Sequence, residues 1–339
     1  MRFYWPQTAL LHAQPTKVPV KGALTANTRP RPPRAQPLAL VRLLLGAILA
    51  AVSPGTHAQD LEPRLYANTP IGMNFLIAGY TYSQGGLATD PSFPLKDADL
   101  EINAAFLAYA RSLDVSGQSA KFDVVVPIAN ISGTATYAGE PKQRDITGLG
   151  DPRFRFSYNF YGAPALALDE FAGYEQDVIV GVSVQVSAPM GQYDSNKLVN
   201  VGTNRWSVKP EIGVSKEVGK LTLELNGSAT YYTENDDFLG GQKREQDPIY
   251  AMQGHVIYGF SGGIWAALDA TYYWGGQTTV DGVTGNDLQR NSRGGVTVAL
   301  PVNRYNSVKL YASTGVSTRT GSDFDTFGIA WQTRWGGGL

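Results

Sequence analysis

The sequence predicts an all-β chain: a transmembrane antiparallel up-and-down β-barrel of about 12 strands, with N- and C-termini on the periplasmic side. Three observations predict it. From about Ile71 to Trp335 an apolar side chain recurs at every second position, in runs of roughly ten to thirteen residues. No run of about eighteen apolar residues occurs, so no helical span competes. The connections alternate between tight turns and long polar loops rich in Gly and Asp, as barrels of outer membranes require.

Strands are expected at about 71–84, 98–112, 118–131, 152–161, 177–189, 205–217, 220–234, 248–260, 263–275, 291–301, 306–318 and 325–335. The clearest runs from Val178 to Ala188. Val178, Val180, Val182, Val184, Val186 and Ala188 share one face; Gly181, Ser183, Gln185 and Ser187 share the other. In 152–161, Phe154, Phe156, Tyr158 and Phe160 face lipid, while Arg153, Arg155, Ser157 and Asn159 face the lumen. In 220–234, Leu221, Leu223, Leu225, Ala229 and Tyr231 face out, and Thr222, Glu224, Asn226, Ser228 and Thr230 face in. A one-residue slip would reverse both sets, so the register is well specified.

Asp114–Gly117, Val218-Gly219, Ser261-Gly262 and Val302–Tyr305 are the tight turns. Gly85–Asp97, Ser132–Asp151, Met190–Asn204, Asn235–Asp247 and Gly276–Arg290 are the long loops. Gly162–Gln176 is a longer link at the turn end, with room for a short helix over Leu166–Phe171. Aromatics gather at strand ends, as the two girdles of a barrel do. Tyr80, Tyr82, Trp206, Tyr231, Tyr232, Tyr250, Tyr272 and Trp274 form the outer set; Tyr158, Phe160, Tyr258, Phe260, Trp331 and Trp335 form the inner.

Residues 1–58 are expected to be an N-terminal extension and secretory signal peptide, leaving 59–339 as the barrel. Leu38–Val52 is apolar apart from Arg42, Arg29, Arg31 and Arg34 precede it, and Ala58 suits the cleavage position. The chain has no cysteine, which excludes disulfides, thiolate zinc sites and thiol nucleophiles. A net charge of −1 gives no basic field for nucleic acid.

Three stretches carry a resemblance: Arg64–Phe75 (RLYANTPIGMNF), Gly148–Pro152 (GLGDP) and Ser187–Tyr193 (SAPMGQY). They resemble the outer-membrane transporter family of the meta-pathway of phenol degradation, over nearly all of the chain after Ala58. The resemblance implies a Gram-negative outer-membrane barrel for passive uptake of aromatic or other small hydrophobic compounds. It supplies no catalytic residues. Read physically, Gly148–Pro152 is a structural corner, since Gly loosens the backbone and Pro152 lacks a ladder donor.

The inward charges are the chemistry-bearing set: Arg153, Arg155, Lys209, Glu211, Glu224, Asp269, Arg293 and Lys309, with Arg319 and Arg334. They read equally as ion pairs that plug the barrel and as a selectivity surface along a wet path. Tyr232, Trp265, Tyr273 and Tyr311 face inward and suit stacking on an aromatic solute, or plain packing. His255 is the one histidine after Ala58 and also faces inward. A hydrolase would use it as base with Ser228 or Asp269, but no local nucleophile motif accompanies it.

The expected function is an outer-membrane channel or transporter for passive passage of small aromatic or hydrophobic compounds, not an enzyme. The alternatives are a barrel hydrolase around His255 and a plugged structural or adhesive barrel. The expected partners are outer-membrane lipid and lipopolysaccharide, the barrel-assembly and secretion machinery, and the small solute. No cofactor, metal or nucleic acid is expected.

Overall fold

In the computed structural model, residues 62–88, 95–137 and 139–339 are described. The export segment expected over 1–58 and its cleavage point lie outside them. The strands are β1 (Met73–Ala88), β2 (Leu95–Val115), β3 (Gln118–Tyr137), β4 (Glu140–Leu149), β5 (Arg153–Tyr161), β6 (Val178–Ser187), β7 (Ser207–Val218), β8 (Leu221–Tyr232), β9 (Asn235–Phe238), β10 (Gln242–Gln246), β11 (Ile249–Gly259), β12 (Trp265–Gly275), β13 (Thr278–Val280), β14 (Val283–Thr284), β15 (Gln289–Pro301), β16 (Asn306–Ser317) and β17 (Gly321–Gly336).

Every pairing is antiparallel. β1 pairs with β2 on one side and β17 on the other, which closes the wall. β3 pairs with β4 along its upper half and with β5 along its lower half. β4 and β5 therefore act as one interrupted strand, and the closed barrel has twelve. The interruption is Gly150-Asp151-Pro152, the predicted corner. The Gly150 amide donates to Pro127 O at 2.9 Å, and a side chain at Gly150 would meet the Pro127 ring. The β4 break keeps Pro152, which has no N–H to give, out of the ladder.

The turns predicted as tight all lie at one end. Between β2 and β3 the turn residues Ser116 and Gly117 both have positive φ, as a two-residue hairpin of matching twist demands. A short helix, α1 (Leu168–Phe171), occupies the longer link, inside the stretch expected to hold one.

The loops at the other end differ from expectation. Residues expected as the loop Ser132–Asp151 instead extend β3 and form β4, a hairpin standing on the wall. The loops 235–247 and 276–290 contain β9, β10, β13 and β14, which join in a separate four-stranded sheet. Polar residues hid these strands, because a hairpin wet on both faces leaves no alternation to read. Met190–Asn204 carries no strand, as expected.

The wall has the predicted faces. Along β8, Leu225 is 50% exposed on the outside while Glu224 is 5% exposed within. Leu221, Leu223, Val182, Val184, Phe154, Phe156, Leu268 and Ile329 continue the outer belt. So large an apolar ring belongs in lipid, not water. Trp274 stacks on Tyr250 and Tyr272 at 5.7 and 5.6 Å, part of the outer aromatic girdle. Phe160, Tyr258, Trp331 and Trp335 are outward at the turn end. Tyr232 is a correction to the girdle: it follows the inward parity of β8 and packs with Ile249, Ala251 and Tyr273. We expect Leu225→Arg to destabilise the folded barrel by about 2–4 kcal/mol, read as a shift in the folding midpoint in lipid vesicles; an unchanged midpoint would put Leu225 outside the belt.

Candidate functional site

The lumen wall carries small and polar groups, and its lower part is crossed by the segment that precedes β1. Residues 64–72 turn back inside the barrel instead of leaving it. The segment is anchored at its β1 side, where Ser112 Oγ donates to Pro70 O at 2.5 Å and accepts from the Met73 amide at 3.0 Å. The Ile71 amide donates to Leu166 O at 2.9 Å. From there it runs past β5 to β7, β8 and β12.

Tyr66 is the centre of this segment and is 1% exposed. Its ring lies against Gly181 on β6 and Gly213 on β7, which face each other in register. A Cβ on either glycine would fall 2.3 or 2.2 Å from a ring carbon, so only glycine leaves room for the seat. The phenol donates to Glu211 Oε1 at 3.1 Å. Burial, and next the charge of Glu211, push the Tyr66 phenol well above its ordinary range, so it stays a donor. Asn159 Nδ2 donates to Tyr66 O at 3.0 Å, and Lys121 Nζ donates to the carbonyls of Leu65 and Ala67.

The inward charges are largely tied to this segment or to each other. Arg155 Nε donates to Asp123 Oδ2 at 3.0 Å, its register partner on β3, and Nη1 pairs with Glu62. Glu224 accepts from the Arg64 amide at 2.7 Å and from Ser215 Oγ at 3.2 Å. The Arg64 guanidinium lies 5.4 Å over the ring of Trp265. Lys209 Nζ stands 3.9 Å from Glu211. Arg293 reaches across the wall to Ser313 and to Thr326 Oγ1 at 3.4 Å. Lys309 lies 5.6 Å over Tyr311, whose ring covers Gly328. Arg153 is inward on β5, as predicted, and half-buried. Arg334 donates to Arg304 O at the turn end. Arg319 is a correction: it is exposed in the connection after β16, bonded to Asn286 at 2.9 Å, and does not line the bore.

His255 Nδ1 lies 2.7 Å from Asp269 Oδ1, and Thr297 Oγ1 donates to Asp269 Oδ2 at 3.0 Å. Register puts Glu224, not Ser228, opposite His255; Ser228 faces Ala251. Ser228 is therefore not its partner. His255 Nε2 has no hydrogen-bond partner, so no described hydroxyl is placed as a nucleophile on it.

The four aromatic candidates do not gather. Tyr232 and Tyr273 share a cluster at the loop end, Trp265 packs with Ile257, Ala267 and Ala299 at the turn end, and Tyr311 stands apart. At the loop end a second element crosses the mouth. Val199 and Val201 of the 190–204 loop pack on Leu100, Ile131, Ile146 and Phe324 of the tall wall. The same loop reaches the opposite hairpin, where the Gly240 amide donates to Ser195 O at 2.7 Å.

Beneath that crossing, Arg205 is 8% exposed and lies 4.2 Å over the Tyr232 ring. Arg244 on β10 lies 5.1 Å over Phe238. Burial, and next the charge of Arg244, bring the Arg205 guanidinium down to about 10; burial also lowers Arg244. Neither the Tyr66 segment nor this pair was among the sequence candidates. The one signal for the first was the RLYANTPIGMNF stretch; nothing in periodicity marks a residue in a loop.

The model of the family described as "Putative MetA-pathway of phenol degradation" matches residues 79–332. No curated protein matches the sequence. Among solved structures, an outer-membrane channel from Pseudomonas putida F1 is similar at 22% identity and a TM-score of 0.71, covering 81% of this chain and 100% of that one. The β domain of the Bordetella autotransporter BrkA (9% identity, 77% and 99% covered, TM-score 0.48) and the transport unit of the Escherichia coli autotransporter AIDA-I (10%, 81% and 93%, 0.48) are more distant barrels.

Proposed function

The chain belongs to the family described as putative MetA-pathway of phenol degradation, and from that premise we propose that it is an outer-membrane channel for passive passage of small aromatic or hydrophobic compounds. The long loops face outward, and the tight turns and both ends of the exported chain face the periplasm. The observation that carries this reading is what occupies the bore. Twelve strands enclose more space than their own side chains fill. The filler here is a separate segment, centred on Tyr66, that rests in a glycine seat. A filler of that kind narrows a path that its displacement widens, whereas a solid barrel would be closed by its wall.

The inward groups suit a conduit. Arg155, Lys209, Glu211, Glu224, His255, Asp269, Arg293 and Lys309 form a mixed-sign surface, and the binding each offers is modest, as passage requires. The loop-end Tyr232 and Tyr273 give an aromatic face at the point of entry. The similarly folded Pseudomonas protein is an outer-membrane channel. The occlusion by Tyr66 favours one second reading, a plugged scaffold.

Planar-bilayer conductance of the refolded chain from Gln59 onward separates them. Discrete current steps in salt are the expected result. Silence from a barrel shown to be folded by its heat-dependent gel shift would remove the channel reading and leave the plugged one.

A further inference from the structure

The loop-end arginine pair lacks a counter-charge. Arg205 Nη2 donates to a neutral oxygen, Gln246 Oε1, and Nη1 is buried with no hydrogen-bond partner. No described carboxylate lies within 4 Å of Arg205 or Arg244. The two carboxylates whose charge reaches them, Asp151 and Asp287, bond elsewhere and touch neither guanidinium. Asp151 accepts from the Gly191 amide and from the amide and hydroxyl of Thr203, at 2.8, 2.8 and 2.6 Å. Asp287 accepts from the amide and hydroxyl of Thr278 at 2.9 and 2.6 Å. Both carboxylates hold loop backbone in place, while the charge of Arg244 bears on Arg205, which lies over Tyr232.

A buried guanidinium that no anion contacts is costly, and its orphan nitrogen asks for an acceptor. We propose that Arg205 and Arg244, with Tyr232 beneath Arg205, form a binding site for the carboxylate of a small aromatic acid at the loop-end mouth of the bore. The inference rests on the channel reading and names its substrate class: aromatic acids, not neutral phenols or hydrocarbons. Arg244, the more exposed of the two, meets the anion first. The carboxylate then replaces Gln246 on Arg205, because a charge-assisted bond is about twice as strong as one to a neutral amide oxygen. A planar guanidinium presents paired donors that match both carboxylate oxygens. Tyr232, Tyr273 and Ile249 supply the apolar surround for the ring.

The test is calorimetric titration of the refolded, detergent-solubilised barrel with benzoate, benzyl alcohol and inorganic phosphate, on the parent chain, Arg205→Gln and Arg244→Gln. Each variant is first checked for its heat-dependent gel shift. Saturable benzoate binding, weakened about tenfold or more in either variant, is expected. Benzyl alcohol should bind the three proteins alike and weakly. Equal benzoate affinity in all three proteins, or benzyl alcohol binding as tightly as benzoate, would overturn the site. Phosphate binding as tight as benzoate would overturn its aromatic half. Binding is read without current, so a silent barrel that binds benzoate removes only the channel, and a conducting barrel indifferent to benzoate removes only this site.

Discussion

Replacing Tyr66 by alanine is expected to open the bore. The ring is buried to 1% exposure, fills the notch made by Gly181 and Gly213, and donates to Glu211. Truncating a buried aromatic costs about 3 kcal/mol, which moves the seated and unseated forms of the segment by roughly a hundredfold relative to one another. The barrel wall does not depend on that ring for its pairing, so the variant should still fold. Its single-channel conductance should rise severalfold over the parent. Tyr66→Phe keeps the ring and loses only the bond to Glu211, and should remain close to the parent with more frequent brief openings. A Tyr66→Ala channel with the parent's conductance would mean that current bypasses the segment.

Arg155→Ala should be the most destabilising change on the inner wall. One guanidinium serves two carboxylates, Asp123 on the neighbouring strand and Glu62 at the start of the inner segment. Its removal takes the shared cation from both. Breaking a dry pair costs about 3–5 kcal/mol; these partners retain some contact with water, so about 2–3 kcal/mol is the expectation. The measurement is the denaturant midpoint in micelles, with Asp123→Ala and the double variant closing a cycle. The double variant should recover part of the loss. Full stability in Arg155→Ala would mean that the cluster carries no energetic weight.

Much of this barrel was legible because lipid on one side and water on the other impose a period of two. That period placed Leu225 outside and Glu224, Arg155 and His255 inside without any knowledge of neighbours. The pairing of His255 with Asp269 was also within reach, since adjacent strands in register must bring inward residues together. Ser228 failed as a partner because register, not strand adjacency, decides which inward residue is opposite. The Tyr66 segment was not legible. Its hydrogen-bond partners lie as far as 160 residues away, and a chain that runs through a polar bore needs no hydrophobic rhythm. Arg244 escaped because it stands in a stretch expected as a polar loop; Arg205 opens the expected strand 205–217 with the inward parity of Lys209 and Glu211, and only its place beneath the 190–204 loop, which no period reveals, marks it out.

The unequal heights of the strands have a consequence for life in a crowded surface. β2 and β3 run 21 and 20 residues, about twice the 9–11 that cross a bilayer. With β1, β4 and β17 they rise clear of the lipid as an open sheet. From Glu140 to Gly148, no described strand pairs the free side of β4. A bare ladder of amides and carbonyls is a template on which neighbouring copies would stitch together. This one reads Glu140-Pro141-Lys142-Gln143-Arg144-Asp145: a proline that cannot donate and four charges of both signs. A proline and charged side chains blunt such an edge against pairing with a copy of itself.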